Sequence, residues 1–219
     1  MKHMDEKSLK ESVGKLKESS QRKFKQTVDL IINLKGLDLK KPEHQVELFL
    51  QLPKYKGKKS KICALVGPEM GDSAKNSMDA YVTLPDFDKY QQDKKLIRKL
   101  ARENDFFVGQ ATIMPKIATV FGRTLGPKGK MPNPKAGCIV PPNANLKTVH
   151  DKLENTVKMS GKKAPIMQSI VGNQDSNVED IIENIKFIHG NVVHALPQGE
   201  NNVKSIYVKY TMGKPIKVM

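Results

Sequence analysis

The chain of 219 residues carries 38 Lys and Arg against 23 Asp and Glu, a formal charge of +15 and a pI near 9.7. That excess goes well beyond what solubility requires and points to a polyanionic partner. Membrane surfaces compete for that role, but no stretch approaches the roughly 20 apolar residues of a span, and Met1-Lys-His-Met-Asp-Glu6 lacks a signal peptide's apolar core, so a soluble cytosolic protein is expected.

Cys63 and Cys138 stand apart from each other and from any His pair, which reads as two buried reduced thiols and no metal. With seven Phe, five Tyr and no Trp, base stacking is a minor theme. The length allows one large domain or two small ones, with a real core in either case.

Residues Asp5 to Ser20 place Leu9, Val13 and Leu16 at helical spacing among Lys and Glu, a thin apolar stripe for packing on the core side of a sheet. Thr27 to Leu34 alternates, with Val28, Leu30, Ile32 and Leu34 on one face and Thr27, Asp29 and Asn33 on the other. Lys35 to Pro42 is a basic loop, either solvated or touching phosphates. Gln45 to Leu52 alternates again through Val46, Leu48, Leu50 and Leu52, and Pro53 closes it. Tyr55 to Lys61 has the composition of a linker.

The pattern then changes. Ile62 to Val66 is a short continuous apolar run, as in a strand covered on both faces, and Gly67-Pro68 turns it into a helix over Glu69 to Ser77. A second run, Ala80 to Leu84, precedes a helix from Asp88 to Glu103 with Leu96, Ile97 and Leu100 inward. Phe106 to Val108 supplies a third strand and Ile113 to Phe121 further helix. Strands alternating with helices in this way indicate a small parallel sheet.

Gly122 to Gly137 reads as a long loop crowded with Gly, Pro and Lys. It fails the P-loop test, because neither Gly122 nor Gly126 is followed five residues later by Gly-Lys-Ser/Thr, and no G-x-G-x-x-G follows Val66. A nucleotide enzyme is therefore disfavoured and no cofactor is expected. Val149, Leu153 and Val157 mark a helix, and Lys158 to Gly161 turns polar as a second linker.

Pro165 to Val171 is an apolar strand. Ser176-Asn-Val-Glu179 has capping-box spacing, with Asp180 added to the first turn. Val178, Ile181, Ile182, Ile185, Ile188, Val192 and Leu196 keep one helical face, so one helix is expected with Gly190 inside it at about 1 kcal/mol relative to Ala. Ser205 to Pro215 alternates, Ile206, Val208 and Tyr210 against Ser205, Tyr207, Lys209 and Thr211, and Pro215 is expected to stop the ladder. It reads either as a plain C-terminal strand or as the partner of Thr27 to Leu34, the two lying side by side with polar faces together.

These pieces assemble into an α+β domain built from the N- and C-terminal segments, a split βαβ-like antiparallel sheet with helices on one face. It is interrupted by an inserted α/β domain of Rossmann-like kind, with boundaries at 1–62 and 160–219 for the first and 63–159 for the second. The linkers around Lys58 to Lys61 and Met159 to Lys162 are expected to act as hinges.

The run Gly126-Pro-Lys-Gly-Lys-Met-Pro-Asn-Pro-Lys-Ala-Gly137, with Lys23-Phe24 and Thr27 early and Ser205-Ile-Tyr-Val plus Thr211-Met-Gly213 late, closely resembles the L1 family of ribosomal proteins, across essentially the whole chain. Its ending and length are closer to the archaeal branch. The resemblance implies a non-enzymatic constituent of the large subunit's mobile stalk whose discontinuous domain binds large-subunit ribosomal RNA. It further implies repression of the protein's own messenger through a look-alike structure, participation in release of deacylated transfer RNA from the exit site, and a monomer outside the ribosome. Carried over residue by residue, the RNA-contacting positions are Lys23, Phe24, Thr27, Ser205, Thr211, Met212 and Gly213; Gln26 stands where the family motif has Glu.

Hydroxyls and a close-approaching glycine suit folded RNA, which is read through 2′-hydroxyls, phosphates and exposed base edges. Two rivals remain: an RNA-modifying or nucleotide-dependent enzyme, for which His3, His44, His150, His189 and His194 are too scattered, and an RNA chaperone held by charge alone.

Overall fold

Leu9, Val13 and Leu16 are buried along one side of α1 (Glu6–Glu18), so the thin stripe is the whole of that helix's contribution to the core. The computed structural model describes residues 6–18 and 22–218; Asp5 and residues 19–20, at the ends of the expected helix, lie outside them. In chain order there follow β1 (Thr27–Leu34), β2 (Glu47–Gln51), β3 (Ile62–Val66), α2 (Gly71–Ser77), β4 (Ala80–Thr83), α3 (Phe87–Gln92), α4 (Lys94–Glu103), β5 (Phe106–Gln110), α5 (Met114–Leu125), β6 (Ile139–Val140) and α6 (Leu146–Glu154). Then come β7 (Thr156–Ser160), β8 (Ile166–Asn173), α7 (Val178–Ala195), β9 (Val203–Tyr210) and β10 (Ile216–Lys217). The chain divides into two compact units, Met1–Lys58 with Asn155–Met219, and Lys59–Glu154.

In the first unit an antiparallel sheet runs in the order β10-β9-β1-β8. Val28, Leu30, Ile32 and Leu34 of β1 and Ile206, Val208 and Tyr210 of β9 point into one core with Leu9, Val13 and Leu16 of α1 and Ile181, Ile185, Ile188 and Val192 of α7. Each such side chain contributes about 1.5–3 kcal/mol on burial, which makes the two-residue alternation binding on both strands. The opposite face carries Thr27, Asp29, Ile31 and Asn33 of β1. Helix α7 passes through Gly190 without a break, where an added Cβ would meet only open space.

Several expectations are corrected here. β2 pairs with β7, from Glu47 opposite Ser160 to Gln51 opposite Thr156, in a separate two-stranded sheet. Val157 is thus in a strand, not a helix, and Lys158 to Ser160 is no linker. Val157 and Met159 are buried while the ammonium of Lys158 pairs with Glu47 at 3.0 Å, so charge marks the outer side of a strand. Tyr55 to Lys61 holds no helix or strand and contains the boundary between the units at Lys58 and Lys59, as a linker would, but its first part is packed: the buried Lys56 donates from Nζ to the Thr156 carbonyl at 3.0 Å. Gly57 has φ +89°, and a Cβ there would come within 2.4 Å of the Gly172 carbonyl carbon. The Ser176 hydroxyl turns back to Asn173, accepting from its N–H at 3.0 Å and donating to Oδ1 at 2.9 Å, instead of capping α7. Pro215 does not end the ladder, since β10 follows it and pairs Ile216 with Val208; an edge strand has no need of the proline's missing N–H.

The second unit holds a parallel sheet in the order β4-β3-β5-β6. All five residues of β3 are buried. Cys63 and Leu65 pack with Phe87, Ile97, Ala101, Ile117 and Phe121 of α3, α4 and α5, while Ile62, Ala64 and Val66 pack with Ala74 of α2 and Leu146 and Leu153 of α6. Burial pushes the thiol of Cys63 up to about 12 and that of Cys138 to about 11.

The helix expected over Asp88 to Glu103 breaks at Asp93, whose carboxylate accepts from the Lys95 N–H at 2.7 Å and starts a new helix. Within α4 Leu96 is turned outward at 43 % exposure, and Ala101 is buried with Ile97. Much of Gly122 to Gly137 is also accounted for locally. α5 continues to Leu125, and the Lys130 ammonium then donates to the carbonyls of Ala101 at 3.1 Å and Asn104 at 2.6 Å, closing the C-terminus of α4.

Candidate nucleic-acid interface

β9 lies antiparallel beside β1 with Val28 opposite Tyr210, Leu30 opposite Val208 and Ile32 opposite Ile206. Because buried residues pair with buried ones, the polar residues are forced onto a common face, Asp29 opposite Lys209, Ile31 opposite Tyr207 and Asn33 opposite Ser205. One step beyond the paired strands, Thr211 donates its N–H to the Thr27 carbonyl at 3.1 Å, and the two threonine Oγ1 atoms are 2.7 Å apart.

A tight turn follows. The Gly213 N–H bonds the Tyr210 carbonyl at 2.8 Å, and a Cβ on Gly213 would stand 3.1 Å from that of Tyr210. Met212 donates its N–H to Oε1 of Gln26 at 3.3 Å. Gln26 is only 2 % exposed, so its amide oxygen holds the turn from inside while the Met212 side chain is left 59 % exposed. Phe24, 52 % exposed, and exposed Lys23 precede it by two and three residues. Lys25 forms an ion pair with Asp175 at 2.6 Å. Exposed apolar groups beside hydroxyls and a close-packed glycine suit a ribose and its 2′-hydroxyl better than they suit water.

Ser205 is elsewhere. It sits on the same face but six residues back along β9, roughly 20 Å away at the rise of a strand. It is 7 % exposed, with its Oγ accepting from Asn33 Nδ2 at 3.0 Å. The structure therefore brings Thr27, Thr211, Met212 and Gly213 together, with Phe24 and Lys23 a few residues away in the chain, and leaves Ser205 in the strand ladder.

Sequence reasoning put Asp29, Tyr207 and Lys209 on this face but missed the contribution of β8, which adds Gln168 and Ile170 by setting Ile170 opposite Asp29 and Gln168 opposite Ile31. The signal was present in the alternation of Ile166, Gln168 and Ile170 against Met167, Ser169 and Val171. Burial lifts the carboxyl of Asp29 above its ordinary value, against hydrogen bonds from Thr211 and Thr27 and the charge of Lys209. Among the described residues no group of three or more His, Cys, Asp or Glu could hold a metal, and no helix is long and apolar enough to cross a membrane.

Residues 16–214 match the model of the ribosomal protein L1p/L10e family. The chain belongs to that family. It is 40 % identical over 213 residues to the large ribosomal subunit protein uL1 of Nanoarchaeum equitans, covering 95 % of this chain and 98 % of that one. It is 36 % identical over 216 residues to the uL1 of Thermococcus kodakarensis, covering 98 % of each, and 37 % identical over 213 residues to that of Methanothermobacter thermautotrophicus, covering 96 % and 98 %. As an L1 protein it is a structural, non-enzymatic ribosomal component, which removes the RNA-modifying enzyme from consideration. In this L1 chain the buried acceptor that holds the Met212 turn is an amide rather than a carboxylate, so no negative charge stands behind the turn at Gln26.

Proposed function

We propose that this L1 protein binds the stalk region of large-subunit ribosomal RNA through the end of the sheet where Thr27, Thr211, Met212 and Gly213 meet, with Phe24 and Lys23 beside them. The observation that carries this reading is the pairing of the Thr27 and Thr211 hydroxyls next to the exposed Met212. Cations raise affinity for any RNA, whereas hydroxyls and main chain discriminate by shape. On this reading the first unit is a discontinuous RNA-binding domain and the second an inserted Rossmann-like domain that carries no nucleotide. The same surface represses translation of the protein's own messenger by binding an rRNA-like structure, and on the cytoplasmic ribosome the stalk takes part in releasing deacylated transfer RNA from the exit site.

Met212→Asp places a carboxylate where RNA would pack. It should abolish binding to a stalk-RNA fragment and prevent retention on large subunits after a high-salt wash, while binding to an unrelated structured RNA persists. Equal losses on both RNAs would favour a chaperone held by its +15 charge.

A further inference from the structure

Two residues along β1 from Thr27, on the open face of the sheet, lies a depression of about 290 Å³ lined by Asp29, Ile31, Gln168, Ser169, Ile170 and Lys209. Three strands build it: β1 supplies Asp29 and Ile31, β9 sets Lys209 opposite Asp29, and β8 sets Ile170 and Gln168 opposite Asp29 and Ile31. Ile31 and Ile170 supply its apolar part. Its polar equipment is a carboxylate with a cation beside it, the Gln168 amide, which both donates and accepts, and the Ser169 hydroxyl.

A half-buried carboxylate on a surface that meets a polyanion repels phosphate and costs binding energy unless the partner brings hydrogen-bond donors. RNA offers two adjacent N–H donors on one base edge in guanine, where N1–H and the 2-amino group stand side by side with the O6 acceptor next to them. Adenine and cytosine present one amino donor beside an acceptor, and uracil one imino donor between two acceptors. A carboxylate accepting both guanine donors, with an ammonium donating to O6, matches that order of groups.

We infer that this depression takes the base of an unpaired guanine from the bound RNA, with Asp29 accepting from N1–H and the 2-amino group, Lys209 donating to O6, and Ile31 and Ile170 against the ring. The inference rests on the reading that the neighbouring end of the sheet meets folded RNA. It adds base selectivity to a surface otherwise read as recognising shape. Thr27 and Thr211 already donate to the Asp29 carboxylate, so discrimination comes from the pair of further donors that guanine alone brings to it on one edge.

The test is a chemical double-mutant cycle. A stalk-RNA fragment in which each unpaired guanine is replaced in turn by inosine, which lacks the 2-amino group, is titrated with the full chain and with Asp29→Asn. At one position inosine should weaken wild-type binding about ten-fold, a typical value for one bidentate base contact. Asp29→Asn should weaken the guanine RNA by a similar factor, and the two changes together should cost no more than either alone. Lys209→Met, which leaves Asp29 in place, should lose affinity at that same guanine. Strict additivity at every position, or a flat inosine scan, overturns the inference. Met212→Asp separates the two readings: if it abolishes binding while the scan is flat, the guanine site alone is wrong; if it binds normally, the RNA surface is wrong as well.

Discussion

The hydroxyl oxygens of Thr27 and Thr211 lie 2.7 Å apart although 184 residues separate them in the chain. The Thr211 hydroxyl is also 3.3 Å from the Thr27 carbonyl, so this one side chain fastens the end of β9 to the start of β1 and holds the Met212–Gly213 turn in place.

Thr211→Val keeps the shape and removes those bonds. A loss of about 0.5–1 kcal/mol in stability is expected for this exposed pair, read by urea unfolding, together with about ten-fold weaker binding to stalk RNA in a filter assay. Binding to an unrelated RNA should stay within two-fold; a matching loss there would mean that the hydroxyl does not discriminate.

Lys40 and Lys41 are exposed on a loop that is itself ordered, with the Lys40 N–H on Asp38 Oδ1 at 3.1 Å and the Asp38 N–H on His44 Nδ1 at 2.9 Å. If they touch phosphates, Lys40→Ala and Lys41→Ala should each weaken all RNAs alike. Each should flatten the plot of log affinity against log salt by about one unit. A slope unchanged in both variants would leave the loop solvated.

His189 lies buried on α7, and its Nε2 meets no hydrogen-bond partner among the described residues. Burial pushes its pKa below the ordinary imidazole value, with the charge of Glu200 opposing. The unfolded chain therefore takes up a proton near pH 6.5 that the folded chain resists. Stability contributed at this site is full above that pH and declines as pH falls through it toward the folded value. Thermal melts from pH 7.5 to 5.5 should show this decline, and His189→Gln should flatten it. An identical slope in the variant would assign the effect to other histidines.

Lys130→Met removes a charged donor from the carbonyls of Ala101 and Asn104 while keeping the aliphatic stem. We expect a loss of about 1.5–3 kcal/mol in the second unit. Hydrogen exchange should show this as faster exchange in α4. Stalk-RNA affinity should stay unchanged, since the first unit is intact; a drop in affinity with α4 still protected would assign Lys130 to RNA instead.

The faces of β1 and β9 were legible from their residues alone, because alternation is a local property and burial of Val28, Leu30, Ile206 and Val208 enforces it. So was the helix through Gly190. Legibility failed where a side chain's role depends on something distant in the chain. The stretches Tyr55 to Lys61 and Lys158 to Gly161 resemble linkers in composition, but Lys56 finds the carbonyl of Thr156, and Lys158 finds Glu47. Asp93 restarts a helix that apolar spacing alone would have continued.

The candidate site divides in the same way. Composition and local pattern gave a strongly basic chain, two strands with a polar face each, and a glycine-bearing turn after Tyr210. Which polar residues meet was settled by register, since a shift of two residues keeps every face unchanged yet would set Thr211 beside Asp29. Pairing between strands 172 to 184 residues apart puts Thr27 with Thr211 and Ser205 with Asn33, and β8 lies alongside so that Gln168 and Ile170 close a depression around Asp29. The hydrophobic pattern of one strand carries no information about its offset from another; that offset comes from packing α1 and α7 against the shared core.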